Sequence, residues 1–205
     1  MIFTAPIWGD NLLDARKSGY YRLNASQTLH HGAVMKLQKK LDLPKLEIDL
    51  SRIQQLSREH EDENWEFRSW LKQYAPDDVD RIVKTLSQKY FALIDCTQCA
   101  NCCRSLQVEF KNDELHVIAK TLGLSIEAFQ KQSMSEGKVN PPCPMLNGKL
   151  CSIYENRPAV CRSFPHLEQP GFVSRLIGVI NCLPICPIAF NAFEELKAKL
   201  AWRRA

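Results

Sequence analysis

The chain has 205 residues, of which 45% are hydrophobic and 24% charged, and its formal net charge is +4. These values are typical of a globular protein that buries its own core, and they exclude a disordered chain and a mini-protein that needs cross-links to fold. The sequence has no block of lysines and arginines and no basic–aromatic stripe, so no nucleic-acid partner is predicted. The excess positive charge falls entirely in residues 96–205, which also contain all nine cysteines.

The first half of the chain is expected to be largely helical. A short amphipathic segment over residues 31–41 is a helix candidate that Pro44 ends. The clearest helix spans residues 77–93, because apolar residues recur there at intervals of three and four, after a proline and two acidic residues typical of a helix N-terminus. Between these segments, residues 52–74 are mostly polar. Their expected core contacts are Leu56, Trp65, Phe67, Trp70 and Leu71.

Local patterns in the second half predict shorter elements. Residues 106–110 alternate apolar and polar side chains, which predicts a short strand. Asn112 or Asp113 is expected to cap the next helix, which ends before Gly123. Ser125 is expected to cap another short helix that runs through residue 129.

Prolines and cysteines dominate residues 139–170, where loops are expected, and residues 188–202 have the composition of a final helix. The chain is therefore predicted to have an α-rich α+β fold. A helical N-terminal region occupies residues 1–90. A compact, loop-rich cysteine region with short strands and flanking helices, which binds metal, occupies residues 91–190, and a C-terminal helix occupies residues 191–205.

The cellular compartment is predicted from the start of the chain and its most apolar segment. The amino terminus has no basic region followed by a long apolar stretch, so no secretory signal is expected. Residues 176–190 are shorter than the ~18 residues that predict a transmembrane helix, and they are expected to be buried core. We therefore predict a cytoplasmic protein without a membrane partner. Because disulfides are rare in that reducing compartment, its clustered thiols are expected to bind metal or do redox chemistry.

Four cysteines within one short segment form the strongest chemical signal: Cys96, Cys99, Cys102 and Cys103. In a C-x2-C segment the chain folds back, so that two thiolates face one metal. The first three cysteines repeat this spacing, as in a bacterial ferredoxin, and the spacing also suits zinc knuckles. The side chains of adjacent Cys102 and Cys103 are expected to point in different directions, which favours more than one metal ion. The alternative is that these cysteines are small buried hydrophobic residues.

A second group of cysteines begins about 40 residues later and comprises Cys143, Cys151, Cys161, Cys182 and Cys186. Arg157 and Arg162 flank Cys161, and a cationic neighbour can lower the pKa of a thiol or hydrogen-bond to a thiolate. An ordinary salt bridge in a loop is the alternative. His166 is close enough in sequence to be a reserve ligand, although a loop histidine without that role is expected.

The order and spacing of these motifs resemble the YkgJ-like CxxCxxCC family, whose members are described as zinc- or iron-chelating and are often labelled Fe–S-cluster proteins. The resemblance covers roughly residues 90–190 and rests on the first four cysteines, on PCP at 142–144, on GK at 148–149, on SIYENRP at 152–158 and on CRSFP at 161–165. It implies eight ligands, and Cys186 is the ninth thiol, which could replace Cys182. The eight are Cys96, Cys99, Cys102, Cys103, Cys143, Cys151, Cys161 and Cys182.

Thiolates bind both zinc and iron–sulfur clusters, and the ferredoxin-like spacing and the large number of thiols favour the cluster. We therefore predict a metal-binding protein that holds an iron–sulfur cluster or zinc, with an unknown protein or redox partner. Two alternatives stay open: an Fe–S-dependent enzyme, either redox or protein-modifying, and a zinc-stabilised protein-interaction module. The sequence has no C-x3-C-x2-C motif and no G-x-G loop, so it indicates no particular enzyme class.

Overall fold

The computed structural model describes residues 45–204, and the helix predicted over residues 31–41 lies outside them. Helices make up 61% of the described residues, and the strands form two small sheets, so the α-rich α+β prediction is confirmed. The helices are α1 (Leu50–Glu59), α2 (Glu61–Tyr74), α3 (Val79–Leu93), α4 (Cys96–Cys99), α5 (Asn101–Ser105), α6 (Asn112–Thr121), α7 (Ile126–Ser133), α8 (Ala159–Ser163), α9 (Leu176–Cys182) and α10 (Pro187–Lys199).

The strands form two antiparallel hairpins. Strand β1 (Met134–Ser135) pairs with β2 (Lys138–Val139), and β3 (Leu146–Asn147) pairs with β4 (Leu150–Cys151). Single 3-10 turns occur at Tyr154–Asn156 and Phe172–Arg175. None of the described helices is both long and apolar enough to cross a membrane.

The larger hydrophobic core forms where α3 packs against α10. Helix α3 directs Val83, Leu86 and Tyr90 inward, and these residues are three or four apart, as the periodicity predicted. Helix α10 is buried on most of its surface, because apolar residues occupy most of its faces. The prediction that residues 176–190 form buried core holds for Leu176 and for residues 186–190, whereas Ile177 is 50% exposed.

Helices α1 and α2 complete this core. Asp49 caps α1 by accepting a hydrogen bond from Arg52 N at 2.9 Å. In α2 the fully buried ring of Phe67 lies 5.4 Å from that of Phe193, edge to face, and 5.1 Å from that of Trp202. Aromatic pairs of this kind contribute about 0.5–1.5 kcal/mol beyond their buried area. The five core contacts predicted between residues 52 and 74 all belong to this core or pack against it.

A buried carboxylate joins α3 to α10. Tyr90 donates a hydrogen bond to Glu195 at 2.6 Å, and Lys89 forms an ion pair with the same carboxylate, which is only 2% exposed. Burial and this hydrogen bond raise the pKa of the Tyr90 hydroxyl. Because an unpaired buried charge is strongly destabilising, the network fixes the two helices against each other.

The smaller hydrophobic core lies among α6, α7 and the loops that follow them, and it includes Ile118, Phe129 and Val139. Ser125 caps α7 as predicted, since its hydroxyl accepts a hydrogen bond from Ala128 N at 3.1 Å, and the helix continues to Ser133. Gly123 follows α6 with φ +69°, the left-handed conformation that commonly ends a helix.

Two local predictions differ from the structure at the start of this core. Residues 106–110 form no strand but a single antiparallel bridge between Val108 and Val139, because the partner strand β2 is only two residues long. Helix α6 has Lys111 at its N-cap, in place of Asn112 or Asp113, and Glu114 Oε2 reaches back to accept from Lys111 N at 3.1 Å. This hydrogen bond to the Glu114 side chain satisfies the Lys111 amide, which the predicted cap would have left free.

A third difference concerns residues 139–170, which were predicted to be loops. They contain the β3–β4 hairpin and α8. Gly148 lies at the tip of the hairpin with φ +62°, a conformation that tight hairpin turns require and that glycine adopts without strain.

Candidate metal centre

Four of the cysteines lie on two short helices that meet at a kink. Asp95 caps α4 by accepting a hydrogen bond from Thr97 N at 2.8 Å. Ala100 then adopts φ +52°, which ends α4 and starts α5 in a new direction at a cost of about 1–2 kcal/mol for a residue with a Cβ. The sulfur atoms of Cys102 and Cys103 lie 3.9 Å apart on α5. Thiols that were expected to point in different directions therefore stay close enough to link two sites.

Two side chains clamp α4 and α5 to the segments that carry the other cysteines. Arg104 donates to the carbonyl of Cys99 at 2.8 Å and to that of Gly148, at the tip of the β3–β4 hairpin, at 3.0 Å. On the other side, Asn101 Nδ2 donates to the carbonyl of Ile185 at 2.8 Å. The first cysteine segment thus lies between the hairpin and the turn that precedes α10.

Three cysteines of the second group pack against the smaller core: Cys143, Cys151 and Cys161. Cys143 N donates to the carbonyl of Cys103 at 2.8 Å, and the hairpin register pairs Leu146 with Cys151. We call Cys103, Cys143, Cys151 and Cys161 the hairpin thiol set.

The members of the hairpin thiol set influence one another electrostatically. Burial raises the pKa of Cys161 to about 12, and the negative charges of the other three thiolates act in the same direction. Burial raises the pKa of Cys143 to about 11, again with contributions from Cys103 and Cys151. Thiolates that repel one another at close range are strongly stabilised by a shared cation, so the set has the chemistry of a metal site.

A second set of thiols lies at the edge of the larger core. Cys186 is only 7% exposed, and burial raises its pKa to about 12, with a further contribution from the charge of Cys96. The pKa of Cys96 is raised to about 11 by burial and then by the charge of Cys99. Cys102 has a raised pKa because it shares a hydrogen bond with Cys103, because it is buried and because the charges of Cys103, Cys186 and Cys96 repel its thiolate. We call Cys96, Cys99, Cys102 and Cys186 the core thiol set.

Cys182 lies beside the core thiol set, one turn before Cys186. Its carbonyl accepts a hydrogen bond from Cys186 N at 2.9 Å. Burial raises its pKa to about 11, and its own charge contributes to the raised pKa of Cys186. By these electrostatic contributions eight thiols fall into two sets of four, although Cys103 also acts on Cys96 of the other set and Cys182 acts on Cys186. The eight-ligand prediction that includes Cys182 stays a prediction.

The guanidinium of Arg157 lies between the two sets. It stacks 3.5 Å from the centre of the Tyr154 ring, and its Nε donates to the carbonyl of Tyr154 at 2.8 Å. The hydrogen bond from Cys102, followed by the charges of Arg157 and Arg104, lowers the pKa of Cys103 to about 7. The charge of Arg157 acts to lower the pKa of thiols in both sets, namely Cys96, Cys103, Cys151 and Cys161.

The other two candidates near Cys161 have different partners. Arg162 donates to the carbonyl of Arg157 and does not form a salt bridge within residues 45–204. His166 Nδ1 lies 2.9 Å from the hydroxyl of Ser163. Burial, with the charge of Arg175, lowers the pKa of His166. His166 is therefore a neutral ring engaged by a serine at neutral pH.

The spacing of the sulfur atoms bears on which metal they fit. No three of the nine thiol sulfurs, all of which the structure describes, lie within 4.8 Å of one another. Four thiolates at about 2.3 Å from one zinc ion would stand about 3.8 Å apart. No three of the thiols therefore lie as close together as the ligands of one zinc ion would.

A group of metal-type donors that the sequence analysis missed lies away from the thiols. His60 Nδ1 is 3.6 Å from a carboxylate oxygen of Glu194, and Glu63 completes the group. Lys197 donates to Glu63 and to Glu194 at 2.8 Å each, so its charge already compensates the carboxylates. We interpret this group as an ion-pair network that joins α2 to α10. The only sequence signal for this network was the spacing of His60 and Glu63, which places them on one face of a helix.

Comparison with known families finds a match to the segment that carries most of the cysteines. A model of the CxxCxxCC family, described as "Putative zinc- or iron-chelating domain", matches residues 95–179. The match contains seven of the cysteines and ends before Cys182 and Cys186. No curated protein and no solved structure matches the chain. The resemblance seen in the sequence is confirmed by this match over residues 95–179.

Proposed function

We propose that this protein binds two metal centres: an iron–sulfur cluster in the core thiol set and a second thiolate-bound metal, iron or zinc, in the hairpin thiol set. The observation that carries the proposal is the division of eight thiols into two sets of four that meet at Cys102 and Cys103, whose sulfurs are 3.9 Å apart. A motif whose last cysteine serves a different centre also occurs in two-cluster ferredoxins, although there three residues separate it from the preceding cysteine.

The core thiol set favours iron–sulfur chemistry for a sequence reason and a structural one. Cys96, Cys99 and Cys102 have C-x2-C-x2-C spacing, and the remote member, Cys186, is followed by Pro187, which matches the cysteine–proline ending of the ferredoxin pattern. The sulfurs are also spaced more widely than four ligands of a single zinc ion. When bound, the cluster would supply one-electron redox chemistry.

The chain's own residues would hold and insulate these centres. Burial of Cys186 in the larger core shields that side from water, and Arg157 supplies a positive charge that offsets the thiolates of both sets. Four thiols for each centre leave no coordination position open for a substrate. This arrangement favours electron transfer or structural stabilisation over activation of a substrate at the metal. All nine cysteines are free of disulfides, which suits the reducing cytoplasm.

The test is anaerobic purification followed by a visible spectrum and by analysis of iron, zinc and acid-labile sulfide per chain. We expect a brown protein with broad absorbance near ~400 nm and matched iron and sulfide. A colourless protein with two zinc ions would replace the cluster by a zinc-stabilised interaction module. A protein without metal under anaerobic purification would refute the proposal altogether.

Single substitutions then separate the two centres. Cys99→Ser is expected to abolish the visible absorbance and the sulfide while the second metal is retained. Cys161→Ser is expected to lose the second metal and to keep the spectrum of the cluster. Loss of the same metal in both variants would mean that the eight thiols serve one centre.

A further inference from the structure

A cavity of about 250 Å³ lies between α3 and the segment that follows Cys161. It is lined by Ser87 and Phe91 of α3 and by Arg162, Leu167 and Glu168 of the later segment, and the side chains of Arg162 and Glu168 are exposed. The cavity holds roughly eight water molecules at about 30 Å³ each, so it is smaller than the pockets of drug-sized ligands and fits a molecule of about ten heavy atoms. None of the nine thiols lines it, so its occupant would not be a metal ligand.

The loop that forms one wall is held in place from both ends. Arg175 donates to the carbonyls of His166 at 2.6 Å and Pro170 at 3.2 Å and also bonds the carbonyl of Gln169. The carboxylate of Asp80 on α3 accepts from Gly171 N at 2.7 Å and from Phe172 N at 2.9 Å. The wall is thus preformed, which lowers the entropic cost of binding a small ligand.

Two opposite charges line this cavity without pairing with each other. Within residues 45–204 neither Arg162 nor Glu168 forms an ion pair. Arg162 donates to the carbonyl of Arg157, which leaves most of its guanidinium donors available. Glu168 accepts one weak hydrogen bond, from the fully buried hydroxyl of Ser87 at 3.3 Å. Both charges therefore retain the capacity to bind a ligand of complementary charge.

We propose that this cavity binds a small zwitterion, namely a free amino acid. The ligand's carboxylate pairs with Arg162, in the two-pronged geometry that guanidinium groups favour, and its ammonium pairs with Glu168. Phe91 and Leu167 contact its side chain, and the volume limits that side chain to a small or medium apolar group. The site does not depend on which metal the thiols hold.

The first experiment uses the metal-loaded full chain and measures binding of glycine, L-alanine, L-valine and L-methionine by isothermal titration calorimetry. Three compounds serve as control probes. Propionate lacks the ammonium group, propylamine lacks the carboxylate, and succinate carries two carboxylates and no ammonium. At least one amino acid is expected to bind about tenfold or more tightly than all three probes, because each probe loses a charge-assisted contact. Absence of amino-acid binding, or succinate binding as tightly as the amino acids, would overturn the proposal.

Variants test the assigned residues, and they are compared with exposed charges outside the cavity. Arg162→Gln and Glu168→Gln are each expected to weaken amino-acid binding by about tenfold or more. Lys120→Gln and Glu109→Gln should leave it unchanged, since both side chains are exposed and do not line the cavity. Unchanged affinity in either cavity variant would overturn the assignment. Metal content and circular dichroism show whether each variant has folded. If a variant does not fold, the binding series on the unmodified chain tests the proposal by itself.

Discussion

Replacement of Cys186 and of Cys182 by serine tests the division of the thiols most directly. The two residues are four positions apart and both follow apolar segments, yet only Cys186 contributes electrostatically to Cys102. Cys186 is 7% exposed and packs in the larger core. We expect Cys186→Ser to remove the centre held by the core thiol set and Cys182→Ser to retain both centres.

The expected size of the effect follows from the share of one thiolate in a four-ligand site. Four-ligand zinc sites serve as the reference for scale here, while the core thiol set itself is proposed to hold a cluster. Zinc sites bind with about 10–16 kcal/mol, so one ligand of four accounts for about 3 kcal/mol, or roughly a hundredfold in metal affinity. A serine hydroxyl buried at this position without a partner costs a further ~1–3 kcal/mol of folding free energy. Cys186→Ala separates the two effects, because it removes the ligand without burying a hydroxyl.

The assay is metal and sulfide content per chain after gel filtration in the presence of a competing chelator, with urea unfolding measured on the same samples. The unmodified chain and Cys182→Ser are expected to keep both centres, and both variants at position 186 are expected to keep one. Loss of a centre from Cys182→Ser, with full content in Cys186→Ser, would show that Cys182 is the ligand. Full content in every variant would refute the core thiol set.

Three further predictions concern the scaffold. Tyr90→Phe removes the buried donor to Glu195 and is expected to lower the free energy of unfolding by about 2 kcal/mol, which a shifted urea midpoint would report. Ser125→Ala removes the cap of α7 and is expected to cost about 1 kcal/mol in the same assay; an unchanged midpoint would contradict either prediction. His166 is stabilised in its neutral form, because burial and a neighbouring arginine lower its pKa. The unfolded state therefore binds the proton more readily, so this contribution to stability is complete above about pH 6.5 and declines as the pH falls below that value. His166→Asn, which tolerates the local φ of +62°, should reduce the loss of stability between about pH 7.5 and about pH 5.5, and an unchanged loss would contradict this prediction.

Local patterns explain why several features could be predicted from the sequence. The inward face of α3 follows from apolar residues at intervals of three and four, and the caps at Ser125 and Gly123 depend on residues that are neighbours in the chain. The first cysteine cluster is likewise a local signal, since the ligand spacing of a C-x2-C turn involves four consecutive residues. The same reasoning failed at residues 106–110, because a strand needs a partner, and β2 offers only a short one.

The sequence by itself therefore determined that the chain is helix-rich and that its second half carries the cysteine pattern of a zinc- or iron-chelating domain, because periodicity and cysteine spacing act over a few residues. Only the tertiary structure decided which thiols face one another. Asn101 draws the turn at Ile185 towards α5, and Arg104 draws the hairpin towards α4, through contacts that span 84 and 44 residues of sequence. The cavity that Arg162 and Glu168 line together with Ser87 and Phe91 likewise depends on how α3 packs against a distant loop, and no local pattern encodes that packing.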